Sequence, residues 1–196
     1  MRLVKGFKVT KLIYLYKYKE GEIMNHVMLD LETFGTDSNA VIVQICACYF
    51  DEKTGEIGDT FLRNIDAADC EKYGLTCNAS TVYWWLQQNK IVSKGLLINP
   101  QPLKESLVLL LEFLDGAAYI WQHSSFDCPI LNNAIKKVGI NNNIFYRVWK
   151  DLRSAEYCLN IDKDKFQFEG LQHNALSDCK FQIKYLVDGL KRRNNE

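Results

Sequence analysis

The chain has little proline: three residues in 196, at positions 100, 102 and 129. No repeat, low-complexity tract or Gly/Ser-rich linker divides it. With roughly 150 residues as the usual size of a domain, that leaves one domain and at most a short appendage. Long apolar runs are also missing. Runs such as Leu107–Leu111 fall far below the ~20 residues of a membrane helix, so no membrane partner is expected. Charge of either sign is not in excess, with 24 Lys and Arg against 24 Asp and Glu. This argues against a protein held to DNA by bulk charge, but not against an enzyme that grips only the end of a strand. What is present is ordinary for a globular chain: 47% hydrophobic and 24% charged residues, which excludes a disordered chain, a collagen or a coiled coil.

Seven cysteines, an odd number, stand at 46, 48, 70, 77, 128, 158 and 179. Cys46 and Cys48 lie in an apolar, strand-like run. The set reads as buried free thiols in a reducing cytosol. Cys70 and Cys77 lack the close pairing of a structural zinc site. Residues 1–23 differ from the rest. Six basic residues against two acidic ones give them +4, leaving −4 for the remainder. Their one apolar stretch, Leu12–Tyr16, is too short for a secretory signal. A basic arm that steers nucleic acid is one reading. The other is that translation begins at Met24, because Lys19-Glu20-Gly21 can be encoded by a ribosome-binding consensus at the usual distance from that methionine. The expected organisation is a leader over 1–23, untranslated or disordered, and a single domain over 24–193.

From Met24 the pattern is strand first. His26–Leu31, Val41–Phe50 and Ile57–Asn64 read as three consecutive antiparallel strands, with Asp51–Gly55 as a hairpin turn. Helical periodicity follows: a helix through Gln88 capped by Asn78 or Ser80, then Leu103–Leu114 closed by Gly116. Ala117–Trp121 is a fourth strand, Phe126–Val138 a helix and Ile144–Trp149 a fifth strand. Asp151 caps a helix through Cys158, and a last helix covers about Asn174–Leu190. Three antiparallel strands leading into α/β units imply a mixed five-stranded sheet flanked by helices, the arrangement of the ribonuclease H-like class.

Four acidic positions stand out on this frame. Asp30 and Glu32 are two apart at the end of the first strand, so both side chains share a face, where they repel unless a cation lies between them. Asp127 opens the helix after the fourth strand; by itself it simply complements the helix dipole. Asp178 lies five residues after His173, about 140° around an ideal helix, so the two converge only if His173 sits before or in the first turn. Each signal alone also fits an ordinary surface.

Taken in order, Asp-x-Glu closing the first strand, Phe-Asp opening a helix after the fourth and His-x4-Asp on the last helix resemble the DEDDh group of 3′–5′ exonucleases. The resemblance runs from about Met24 to Leu190. Asp30-Leu31-Glu32-Thr33-Phe34-Gly35-Thr36, Asn39-Ala40-Val41-Ile42 and Thr81-Val82-Tyr83-Trp84-Trp85-Leu86 narrow it to a bacterial and phage branch of small exoribonucleases. His123 and Ser124 stand where many superfamily members carry an Asn-containing sequence. The resemblance implies a catalytic set of Asp30, Glu32, Asp127, His173 and Asp178. Asp30, Glu32 and Asp178 would bind a first metal, and Asp30 would bridge to a second supported by Asp127. His173 would act as general base. Two Mg²⁺ or Mn²⁺ fit the hard oxygen ligands. The implied partner is the 3′ end of single-stranded RNA or DNA, with RNA favoured, in a bacterial cell or phage-infected host. Thr33 and Phe34 would meet the terminal nucleotide, Phe34 either stacking on the base or packing on the sheet. Of the adjacent Trp84 and Trp85, one belongs in the core; the other, taken as Trp84, either stacks on a base or is buried too. A homodimer is a further expectation. The rivals are a single-strand exodeoxyribonuclease, a catalytically silent nucleic-acid binder on the same fold, and an interaction protein with coincidental acids. The N-terminal mass of the native protein tests the expected start: a species beginning at Met24 is expected, and one beginning at Met1 overturns it.

Overall fold

A computed structural model of the chain describes residues 18–19 and 22–194. Of the leader, only the two-residue strands β1 (Tyr18–Lys19) and β2 (Glu22–Ile23), paired antiparallel, are among them. The rest of what was expected for 1–23 lies outside the described residues.

The main sheet has five strands: β3 (His26–Thr33), β4 (Ile42–Phe50), β5 (Ile57–Asn64), β6 (Tyr119–Gln122) and β7 (Trp149–Asp151). Their order is β5-β4-β3-β6-β7. The first three pair antiparallel, and β6 and β7 add in parallel, giving the mixed ribonuclease H-like sheet. The β4–β5 hairpin turns at Asp51–Gly55. There Asp51 Oδ1 accepts from the N–H groups of Lys53 and Thr54, and Gly55 takes φ 83°, a conformation that disfavours any residue with a Cβ. Among the described residues, no helix is long and apolar enough to cross a membrane.

Every residue of β3 is buried, because both faces of the sheet are covered. Period two then sorts its side chains. Val27, Leu29 and Leu31 join the larger core beneath α4 (Leu103–Leu114) and α5 (Asp127–Lys137). Met28 points the other way, into a second core against α6 (Leu152–Cys158) and the long α7 (Ala175–Asn194). Asp30 and Glu32 share that second face, so the strand that builds the main core also delivers two acids into the seam under α7. β4 repeats the division, with Ile45 and Ala47 in the first core and Cys46, Cys48 and Phe50 in the second.

Several elements differ from the sequence-based expectation. Two short helices, α1 (Ala67–Lys72) and α3 (Lys90–Gly95), were not expected. Six residues are too few to display a helical stripe, although Asp66 and Asn89 cap them as a helix start requires. Between them, α2 (Ala79–Gln87) is capped by Asn78, whose Oδ1 accepts from Ser80 N–H at 2.9 Å. The fifth strand was expected at 144–149; Tyr146–Val148 is instead a 3-10 turn, and pairing begins only at Trp149. Asp151 caps α6 as expected, and Arg153 donates to Ser125 Oγ at 2.9 Å. Leu107, fully buried in α4, measures the larger core. Leu107→Ala should cost about 2–5 kcal/mol in denaturant unfolding, through lost burial and the cavity left behind.

Candidate active site

α7 places the third acid. Asn174 caps the helix, its Oδ1 accepting from Ser177 N–H at 3.2 Å. Asp178 lies in the first turn, where the backbone N–H groups of His173 and Asn174 favour its ionised form. It therefore faces back toward β3, and oxygens of Asp30, Glu32 and Asp178 lie within 4.8 Å of one another. Burial pushes the protonation of all three upward, and at Asp30 and Glu32 the neighbouring acids add to it. Burial holds Glu32 at about 8 and Asp178 at about 6, and Asp30 is raised well above the usual carboxylate range by burial and by its acidic neighbours. The group consists of hard oxygen donors only, with no sulfur or imidazole, which suits a divalent cation of the Mg²⁺ or Mn²⁺ kind.

Asp127 stands apart from that trio. Its Oδ1 accepts from Leu31 N–H at 3.2 Å and its Oδ2 from His123 N–H at 2.9 Å. Leu31 lies between Asp30 and Glu32, so Asp127 ties the start of α5 to the strand that carries both acids. Its field still reaches Asp30 and Glu32 and raises both. Asp127 itself is pushed up to about 7 by burial. His123 Nδ1 lies 3.6 Å from Asp127 Oδ2, and burial lowers its pKa, as does the Arg153 charge.

His173 is held just ahead of α7 at φ 62°, a left-handed conformation costly for a residue with a Cβ. That turn brings the imidazole to the mouth of the seam, as the five-residue spacing to Asp178 required. The Trp84 ring meets it edge-on at 4.7 Å between centroids, and Trp85 lies at 6.3 Å. Burial lowers the His173 pKa, which favours the neutral imidazole.

Beside these groups opens a cleft of about 530 Å³, lined among others by Glu32, Thr33, Thr81, Trp84, Trp85 and His173. Two alternatives left open by the sequence separate here. The tryptophans are not both buried: Trp85 is core, donating from Nε1 to Thr33 O at 2.9 Å, whereas Trp84 is 39% exposed at the cleft. Phe34 does not line the cleft; it packs on the core and meets Trp85 edge-on at 6.5 Å. An aromatic directly after an acidic strand end gave no sign of which way it would turn. Thr33 does line the cleft, with its hydroxyl donating to Gly35 O at 2.6 Å.

Two glutamines went unnoticed in the sequence. Gln182, one turn beyond Asp178, donates from Nε2 to Asp30 Oδ1 at 3.0 Å, in the buried seam. Gln44, opposite Glu32 across the β3–β4 pair, accepts from Ala175 N–H at 2.9 Å and so docks the start of α7. The spacing of Gln182 to Asp178 is the one signal that was readable, since residues four apart share a helix face.

A family model described as the 3′–5′ exoribonuclease Rv2179c-like domain matches residues 25–189. The chain belongs to this family. It carries a 3′–5′ exonuclease domain. A search of curated proteins finds no match. Similar solved structures include Escherichia coli exonuclease I in complex with a dT13 oligonucleotide, at TM-score 0.64 and 12% identity over 87% of this chain and 42% of that one. Another is the nuclease domain of 3′hExo, a DEDDh family member bound to rAMP, at TM-score 0.63 and 13% identity over 85% of this chain and 92% of that one. A third is a 3′-exonuclease that recognises the 3′ end of a histone mRNA stem-loop, at TM-score 0.64 and 13% identity over 85% and 81%. The chain thus spans about two fifths of exonuclease I and most of the other two.

The raised acids make this enzyme's stability depend on pH in a definite direction. Their folded pKa values lie above the ordinary carboxylate values near 4, so the folded state holds more protons than the unfolded one between those limits. Stability is full below about pH 4 on this account and is lost as pH rises through about 6 to 8, the values of Asp178 and Glu32. In chelator, the melting temperature should therefore fall across that window. Mn²⁺ should raise it again, by more at about pH 8 than at about pH 5, as thermal melts at fixed ionic strength would read.

Proposed function

We propose that the exonuclease removes nucleotides from the 3′ end of single-stranded RNA, with Asp30, Glu32 and Asp178 holding divalent metal and His173 acting as general base. The observation that carries this reading is the convergence of buried Asp30 and Glu32 with half-buried Asp178, from opposite ends of the chain, beside a cleft that Glu32 and the His173 imidazole line. Two Mg²⁺ or Mn²⁺ ions at the acids would activate the attacking water and stabilise charge on the leaving oxygen. Asp127 would support the site through its hold on Leu31, between the two strand acids.

The chain's own residues do the rest. His173, neutral because burial disfavours its charged form, has a free lone pair to take a proton from water at the cleft. The edge of Trp84 limits how far the imidazole can swing. Thr33 and Trp84 line the space for the terminal nucleotide, and the exposed part of Trp84 offers a stacking surface worth ~1–3 kcal/mol per base. The RNA assignment draws on the family's description as an exoribonuclease. A DNA substrate is the second reading, favoured by the likeness to exonuclease I with its dT13 strand.

Matched 5′-labelled RNA and DNA oligonucleotides test both readings. A ladder growing from the 3′ end is expected in Mg²⁺ or Mn²⁺, with RNA cut faster and chelator stopping it. A faster DNA ladder would replace the RNA assignment. Asp178→Ala should abolish cleavage. His173→Ala should slow it by ~10²–10⁴ while Mn²⁺ binding stays nearly intact; full activity in that variant would remove His173 from the mechanism.

A further inference from the structure

Beneath the acids, the same seam holds a second group of ligand-bearing side chains that nucleotide hydrolysis does not use. Cys46 and Cys48 are two apart on β4, so both point from the sheet toward α7. Cys179 points back from α7, and the three sulfurs lie within 4.8 Å of one another. Cys46 and Cys48 Sγ are 3.7 Å apart. All three are free thiols with 0% exposure. Three thiols meeting at one point is more than packing requires, since any small apolar side chain would fill the same volume.

The spacing is that of a coordination site. An ion bonded to three sulfurs in a plane at about 2.3 Å sets them about 4 Å apart. The 3.7 Å pair and the 4.8 Å limit on the trio bracket that value. Among the described residues, no fourth His, Cys, Asp or Glu joins the group. Tetrahedral zinc, which takes four ligands in a closed site, is therefore a poor match. An ion content with three soft donors is a better one.

We propose that Cys46, Cys48 and Cys179 form a binding site for one soft, thiophilic ion in three-coordinate sulfur geometry, either copper(I) or a divalent ion of the cadmium class. Binding would break three S–H bonds, form three metal–sulfur bonds and release three protons to solvent, with no change of oxidation state. Hard ions are excluded by the donors, so Mg²⁺ and Mn²⁺ stay with the carboxylates. The two sites share their supports. Cys46 lies directly opposite Asp30 across the β3–β4 pair, and Cys179 is the residue after Asp178. With no exposed sulfur, loading needs α7 to lift from the sheet, so uptake is slow in the native protein and fast during refolding.

The test uses the full chain with Cys77, Cys128 and Cys158, the thiols outside the core, changed to serine. It is refolded anaerobically with Cd²⁺ or with copper(I) supplied as a chelate. One ion per chain is expected, with a thiolate-to-metal charge-transfer band, and X-ray absorption should count three sulfurs around it. Mn²⁺ should not displace it. Cys179→Ala and, independently, Cys48→Val should lose the band and the tight stoichiometry while circular dichroism shows them folded. If either variant does not fold, the sulfur count in the parent chain decides by itself. Absence of the band, a count of two sulfurs or fewer, a fourth protein ligand, or tight binding that survives in a folded Cys179→Ala would each overturn the proposal.

Discussion

The structure turns on a mutual repulsion that the fold does not relieve. Asp30, Glu32 and Asp178 are forced together where α7 crosses the sheet, and burial raises all three. Such a cluster survives only when other interactions over-determine it. Here the backbone N–H groups of His173 and Asn174 favour the Asp178 carboxylate, and the Gln182 amide holds Asp30. Asp127, gripped by the N–H groups of Leu31 and His123, fixes the strand between the first two acids. These contacts aim the carboxylates without neutralising them, so the remaining demand is for positive charge from outside.

The sheet meets this demand because it is covered on both faces. β3 sends Val27, Leu29 and Leu31 into the larger core and Met28, Asp30 and Glu32 toward α7. Shifting its register by one residue would exchange the two sets and leave acids in the apolar core. The acids are therefore as rigidly placed as the hydrophobic residues beside them. α7 is equally committed: Ala175, Cys179, Ile183 and Leu186 pack on the sheet, while Asp178 and Gln182 line the seam. Its start is anchored by Gln44, which binds Ala175 N–H. Packing and the site are one arrangement here.

His173 shows how local strain serves the same end. Its left-handed φ of 62° turns the chain just before the Asn174 cap, so the imidazole faces the cleft while Asp178 faces the sheet. Residues five apart on a regular helix would diverge. Trp84 and Trp85 complete the setting, one lining the cleft beside the imidazole and the other buried and bonded to Thr33 O. Adjacent positions on α2 face about 100° apart, so one helix supplies both a core anchor and an exposed ring.

Much of this was legible in order and type. The periodicity of 26–64 and 103–138 located the three antiparallel strands and the helices α4 and α5. The motif residues Asp30, Glu32, Asp127, His173 and Asp178 named the superfamily. Local spacing determined that Asp30 and Glu32 share a face and that His173 can meet Asp178 only from before or within the first turn of the last helix, because those relations depend only on strand and helix geometry. Short α1 and α3, the three-residue β7, the inward turn of Phe34 and the exposure of Trp84 were beyond its reach, since each is set by what packs against it. Tertiary structure alone decided that Gln182 meets Asp30, that Gln44 docks α7, and that cysteines 46, 48 and 179 converge. The reason is physical: a strand and a helix more than a hundred residues apart carry no local record of the seam they form, and only their packing brings those side chains within bonding distance.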